Sequence, residues 1–262
     1  MRRLALLSLL CLAAAPAFAA MRVEPVDWEI DGARYAGFLV YDDASPAQRP
    51  GLVMVPNWRG VDDAAVDKAR AIAGGDYVVL VADLYGAQVR PRDNAEAGRA
   101  AAPLRQDRPE MRRRMRRAVE ALAAQAGRAP LDPARIGAFG YCFGGTAVLE
   151  LARDGADLAG VASLHGGLGT PLPARPGAVK ASVLVLNGAD DRAVGDQDIL
   201  AFQEEMDAAG ADWQFVNFSG AVHCFAEPDA GDDPESNCRY HERSARRAHR
   251  MLHDFFRERF AR

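Results

Sequence analysis

GAFGYCFGG, residues 137–145, sets four glycines around one cysteine between a short apolar run and a helix-like segment. Inside it, Gly140-Tyr141-Cys142-Phe143-Gly144 is G-x-C-x-G at a strand-to-helix corner, a nucleophile elbow with sulfur in place of oxygen. The turn is tight enough that side chains two residues either way would collide, so glycine flanks it. The thiol then stands at a helix N-terminus, where the dipole and the unpaired N–H groups favour a thiolate. The N–H of Phe143 would face an oxyanion formed on an attacked carbonyl. The competing reading is a buried structural cysteine beside a strand–helix turn, and the rest of the chain has to separate the two.

Outward from the corner, apolar strands alternate with amphipathic helices. Asp31-Gly32 suits a tight hairpin between strands over 26–30 and 33–42. Residues 51–56, 77–86, 135–141, 158–167, 181–191 and 212–218 read as further strands, the first of them fully apolar. Residues 63–75, 107–127, 143–155 and 196–210 read as helices, and a last helix covers about 240–260. In that helix Ala245, Ala248, Leu252, Phe255 and Phe256 recur at helical spacing, so it packs on the sheet. The pattern predicts a mostly parallel central sheet with helices on both faces, plus the N-terminal antiparallel hairpin. Ligands in such folds sit beyond the carboxyl ends of the strands, so the loops after Pro56, Asp83, Tyr141, Leu164, Asn187 and Phe218 are the ones to inspect.

Two of those loops carry an acid and a base, in the order that follows a nucleophile elbow. "NGADDRAV" ends a strand and offers Asp190 and Asp191; "SGAVHCFA" follows the last strand and offers His223. Each alone reads as a loop-capping acid or a surface histidine. Three signals at the right element ends point to Cys142 as nucleophile, with Asp191 and His223 converging on it.

At these residues the chain resembles the dienelactone hydrolase family, the cysteine branch of the α/β-hydrolases. "ADLYG", "GYCFGG", "GADDRAV" and "VHCFAEP" carry the likeness, which runs from about Gly51 to the C-terminus. The resemblance implies an α/β-hydrolase fold and hydrolysis of esters or lactones, carboxymethylenebutenolidase-like, without a cofactor. It implies Cys142 as nucleophile, His223 as general base and acid, Asp191 orienting the imidazole, and a second oxyanion N–H from Trp58. The sequence also departs from the family. A glutamate expected just before the oxyanion residue is Asn57, an amide that can hydrogen-bond the sulfur but cannot take its proton. Two arginines expected to hold a substrate carboxylate align with Ala87 and Glu227. Arg59 and Arg90 are candidates to replace them, and Tyr85 and His165 are further candidate pocket residues, His165 also as a rival base.

The mature cysteines are Cys142, Cys224 and Cys238. Cys224 and Cys238 either pair, closing a loop worth about 3 kcal/mol in the chain-entropy model, or remain two separate thiols. His249 and His253 are four apart on a helix, as metal ligands can be, but no third ligand accompanies them, so surface histidines are expected and no metal. "MRRRMRR", 111–117, reads as a solvated helix face whose stems cover the sheet.

The chain begins "MRRLALLSLLCLAAAPAFAA", the charge, apolar core and small-residue exit of a signal peptide. Cleavage is expected after Ala19 or Ala20, leaving residues 20–262 as one α/β-hydrolase domain of about 240 residues in a periplasmic or secreted location. A buried first helix is the alternative, and Leu10 before Cys11 argues against a lipoprotein. Thirty-two Lys and Arg against 36 Asp and Glu give a net charge of −4, which implies no polyanion partner. No nucleic acid and no membrane after cleavage are expected, only a small ester or lactone, with a monomer or weak dimer. The rival readings are a non-catalytic binding module on a hydrolase scaffold and an acyltransferase.

Overall fold

The computed structural model describes residues 21–261. The leader expected over 1–19 lies outside them. Strands β1 (Met21–Ile30) and β2 (Ala33–Asp42) form the hairpin, with Asp31 at φ 51° and Gly32 at φ 77°, the pair of positive φ values a two-residue turn needs. Alternation sets their faces: Val26, Trp28 and Ile30 are buried while Asp27 and Glu29 are exposed. β1 starts five residues earlier than Val26, because antiparallel pairing runs on to Met21↔Asp42.

The remaining strands are β3 (Arg49–Val55), β4 (Val78–Val81), β5 (Leu131–Tyr141), β6 (Gly160–Leu164), β7 (Ser182–Gly188) and β8 (Trp213–Phe218). They complete an eight-stranded sheet in the order β1-β2-β4-β3-β5-β6-β7-β8. The pairs from β4 through β8 are parallel and the first two pairs antiparallel. This is the α/β-hydrolase architecture. Helices α1 (Asp63–Ala73) and, from the C-terminus, residues 242–260 pack on one face with Leu52, Met54, Phe139 and Leu184. Helices α2 (Asn94–Gln106), α3 (Arg108–Ala123), α4 (Phe143–Arg153) and α5 (Asp196–Ala208) cover the other with Val53, Val55, Ala138 and Val185. The C-terminal helix is α6 (Glu242–Phe260).

Helix α2 was not expected from the sequence. Its buried stripe is Ala97, Ala101 and Leu104, too small to register as an apolar face, and Pro103 reads as a breaker. Asp93 caps it by accepting from the N–H of Glu96 at 2.8 Å, and Pro103 lies in the last turn, where it leaves the carbonyl of Arg99 without its helical N–H partner.

The arginine run on α3 is a solvated face only in part: Arg116 and Arg117 are exposed, while Arg112 is nearly buried. Arg112 reaches the buried carboxylate of Glu150, Arg113 and Arg114 share Glu110, Arg116 meets Asp154 and Arg117 meets Glu120. Met111 and Met115 between them are fully buried. The pairs to Glu110 and Glu120 lie within α3, one helix turn apart, and those to Glu150 and Asp154 join α3 to α4 and its C-terminal end.

Candidate active site

Cys142 sits between β5 and α4 with φ at 51°. A Cβ on Gly140 would run into the Gly144 backbone, and one on Gly144 into the carbonyls of Val55 and Pro56. The corner therefore exists only because both flanks are glycine. The Cys142 N–H donates to Leu164 O at 2.9 Å and to His165 Nδ1 at 3.2 Å, tying the elbow to the end of β6. The sulfur makes no cap bond to its own helix, which leaves it free to face outward.

His223 lies in the loop after β8 and Asp191 in the loop after β7. His223 Nε2 is 3.0 Å from Cys142 Sγ, and His223 Nδ1 is 2.7 Å from Asp191 Oδ2. Asp191 Oδ1 accepts from the N–H of Ala193 at 2.8 Å and from Asn237 Nδ2 at 3.0 Å. Asp190 is exposed and its N–H bonds Ala221 O, so only Asp191 turns inward. Burial disfavours a charged imidazole at His223, but the Asp191 hydrogen bond, the bond to Cys142 and both charges outweigh it, and His223 is raised to about 10. For Asp191, burial pushes upward and is outweighed by His223, Ala193 and Asn237, so its carboxyl is lowered. One arrangement accounts for both shifts: an imidazolium held between a carboxylate and a sulfur.

Phe143 is the first residue of α4, so its N–H has no partner within the helix. Across the cavity, Asn57 Oδ1 accepts from the Arg59 N–H at 2.9 Å and Asn57 O from the Gly60 N–H at 2.9 Å, folding the turn that carries Trp58. Tyr85 Oη donates to Trp58 O at 2.9 Å, which fixes the peptide beside the turn. Burial raises the Tyr85 phenol, so it keeps the proton it donates. The Tyr85 ring also lies against Phe143, 5.6 Å between centroids. Tyr85 thus stands behind both oxyanion candidates and does not line the cavity.

The cavity over the sulfur holds about 310 Å³ and is lined by Cys142, Asn57, Trp58, Arg59, Glu227 and the segment that begins at Cys224, among others. Cys224 and Cys238 are bonded, with Cα atoms 4.9 Å apart, and Cys142 is the free thiol among the described residues. The two-thiol alternative is thereby removed.

Three expectations need correction. His165 does not line the cavity and is no rival base: it is fully buried, with its Nδ1 occupied by the Cys142 N–H. Burial first, then the charges of His223 and Lys68, hold it well below the usual histidine range, so it stays neutral under the elbow. Arg90 does not reach the site either. It is spent on Asp83 and on the carbonyls of Ala36, Gly86 and Val89. Asn57 does not bond the sulfur, because its amide nitrogen donates to Glu227. Arg59 does line the cavity, its guanidinium on Asn94 Oδ1 at 2.8 Å.

Three contributors escaped the sequence reading. Glu227 is 2% exposed and pairs with Lys68 at 3.1 Å. Lys68 also meets Asp229 at 2.6 Å. Burial raises the Glu227 carboxyl while Lys68 opposes the rise. The family pattern places an arginine where Glu227 stands, and nothing in the sequence of α1 marks Lys68. Asn237 had no signal beyond lying next to Cys238. His249 and His253 are half-buried rather than superficial; His249 Nε2 lies 3.2 Å from Tyr141 Oη, and burial lowers it to about 4.

Comparisons with known proteins bear on the fold and the family. The family model for the dienelactone hydrolase family matches residues 36–260. A solved structure named m3DLH is 33% identical, with a TM-score of 0.84 over 91% of this chain and 98% of its own. A dienelactone hydrolase-like promiscuous phosphotriesterase from metagenomic libraries is 33% identical, with a TM-score of 0.85 over 91% and 98%. An uncharacterized protein of Caenorhabditis elegans is 33% identical over 134 residues, 50% of this chain and 84% of its own.

Proposed function

The chain belongs to the dienelactone hydrolase family, and from that premise we propose that it hydrolyses carboxylic esters or lactones through a Cys142–His223–Asp191 triad and a thioester acyl-enzyme. The single observation that carries the reading is the unbroken line from Sγ through both ring nitrogens to a buried carboxylate, at 3.0 and 2.7 Å.

The steps follow from the groups present. The sulfur, its proton held by His223, attacks the carbonyl carbon, and the oxygen takes the displaced electron pair. The N–H groups of Phe143 and Trp58 receive that oxyanion, each worth typically ~2.7–4 kcal/mol. The adduct collapses, the C–O bond breaks, and the alcohol leaves with the proton from His223 Nε2. Water then gives a proton to His223 as it attacks the thioester, and the acid departs as the thiolate re-forms. Thiolate leaves more readily than an amine, so amide adducts revert and activated esters are the better substrates.

Among the described residues no arginine pair lines the cavity. Arg59 is one cation beside the carboxylates of Glu227 and Asp229. Neutral acyl groups therefore suit the site better than a carboxylate-bearing lactone. The same neutrality, with the 33% identical phosphotriesterase neighbour, favours a second reading in which neutral phosphotriesters are slower substrates of the same thiol. Residence in an oxidising compartment such as the periplasm is part of the proposal. It is supported by the leader pattern and by a disulfide, which persists under such conditions.

The test is hydrolysis of p-nitrophenyl esters, unsaturated lactones and a p-nitrophenyl phosphotriester by wild type, Cys142→Ala and His223→Ala. Ester turnover near wild type in either variant refutes the triad. Phosphotriester turnover that survives Cys142→Ala removes the second reading.

A further inference from the structure

The residues from Cys224 to Cys238 form a strap closed by the disulfide, fourteen positions from end to end. The strap starts one residue after His223 and returns beside it. His223 and Cys238 form an isolated bridge, with the Arg239 N–H on His223 O at 3.1 Å. The return leg brings Asn237 against the acid of the proposed triad. Its Nδ2 donates to Asp191 Oδ1 at 3.0 Å, while its Oδ1 accepts from the Arg192 N–H at 3.0 Å. One planar amide thus grips both the carboxylate and the backbone of the residue after it. Asp191 Oδ2 is left for His223 alone. Without the amide, Asp191 Oδ1 keeps only the N–H of Ala193, and the carboxylate can rotate about its χ angles away from the imidazole.

We propose that Asn237 is a positioning residue for the Asp191–His223 pair, held in register by the Cys224–Cys238 strap. The inference rests on the triad reading but concerns a residue that touches no substrate. The strap has a second duty, because Cys224, Glu227, Asp229, Ala230, Ser236 and Cys238 all line the cavity. Loss of the amide and loss of the disulfide therefore have different kinetic signatures: the first strikes kcat, the second strikes kcat and KM together.

The experiment compares wild type, Asn237→Ala, Asn237→Asp and the double variant Cys224→Ser/Cys238→Ser on one p-nitrophenyl ester across pH, with thermal midpoints recorded alongside. Asn237→Ala is expected to lower kcat about tenfold, the size of a lost hydrogen bond to a charged group, with KM within about twofold. Its acid limb moves to higher pH, since Asp191 has lost a donor to its anion; damage to the fold would scale the profile without shifting it. Asn237→Asp, near-isosteric but setting a second carboxylate against Asp191, is expected to fall further than Asn237→Ala at neutral pH. The double variant is expected to raise KM as well as lower kcat. An Asn237→Ala profile unshifted and within about twofold of wild type overturns the proposal, as does Asn237→Asp matching wild type. Should wild type show no Cys142-dependent turnover, the hydrolase reading fails on its own. The same variants are then read by iodoacetamide labelling of Cys142 at neutral pH, where slower labelling in Asn237→Ala supports the positioning role and equal labelling overturns it.

Discussion

Helix α4 carries a charged cluster at each end, and the two are built to opposite rules. All eleven of its residues are buried. At its C-terminal end the fully buried Glu150 meets Arg112 at 2.7 Å and Arg153 at 3.2 Å, and Arg153 passes on to Glu205 at 2.8 Å. Arg153 Nη2 also donates to Leu168 O. Both carboxylate oxygens of Glu150 are engaged, so the cluster is closed. At the N-terminal end Asp191 and His223 are equally well held, but the line stops at a sulfur that faces a cavity. A closed cluster fixes how helices pack; an open one leaves one bond for a substrate to make. The helix dipole fits both assignments, with a nascent anion at the N-terminus and Arg153 in the last turn.

The sharpest way to break the contrast is Cys142→Ala. Turnover is expected to fall by about 10⁴ or more, with a thermal midpoint near wild type, as measured by ester kinetics and calorimetry. A large loss of stability there would mean the sulfur belongs to the architecture. Glu150→Gln should do the reverse. It leaves buried guanidinium charge unanswered, so unfolding in urea should show a loss of about 3–5 kcal/mol, while kcat per folded molecule stays unchanged.

The pH response sharpens the contrast further. Folded His223 keeps its proton up to about 10, against 6.5 for an ordinary histidine. Its contribution to stability is fully present below the ordinary value and is lost as pH rises through about 10. Asp191 runs the other way: its carboxyl is lowered, so its contribution is present above the unfolded value and is lost as pH falls through the folded one. The difference in thermal midpoint between wild type and His223→Ala should therefore shrink from pH 7 to pH 10. The ester rate should decline over the same alkaline range as the leaving alcohol loses its proton donor. The smallest effect is expected at Tyr85→Phe. Removing the bond to Trp58 O should lower kcat severalfold and leave KM unchanged, because the phenol acts on the oxyanion peptide and not on the ground-state ester.

Much of this was legible in the chain. The elbow could be read because its pattern is local: Gly140 is forced by the backbone of Gly144 and Gly145 within five residues, although Gly144 also answers to the carbonyls of Val55 and Pro56 at the end of β3. Alternation in β1 and β2 and the apolar runs of β4, β5 and β7 reflect one-dimensional periods, which survive without knowledge of any neighbour. The order of Cys142, Asp191 and His223, each at a strand end, placed the candidate site. Helix α2 escaped because alanine supplies an apolar stripe with almost no signal.

What waited for the tertiary structure was how side chains from distant loops divide their hydrogen bonds. Asn57 and Glu227 are 170 positions apart, and only the fold shows the amide donating to the carboxylate instead of to the sulfur. Arg90 is as cationic as Arg59 in the sequence, but its carbonyl and carboxylate partners take it out of the site. His165 and His223 have the same side chain, and burial with the neighbouring charges makes one neutral and the other an imidazolium. Periodicity and turn chemistry are properties of adjacent residues, so they are written along the chain. Competition for a buried donor or acceptor is settled among groups that meet only after folding, where each unpaired atom costs free energy and the nearest partner wins.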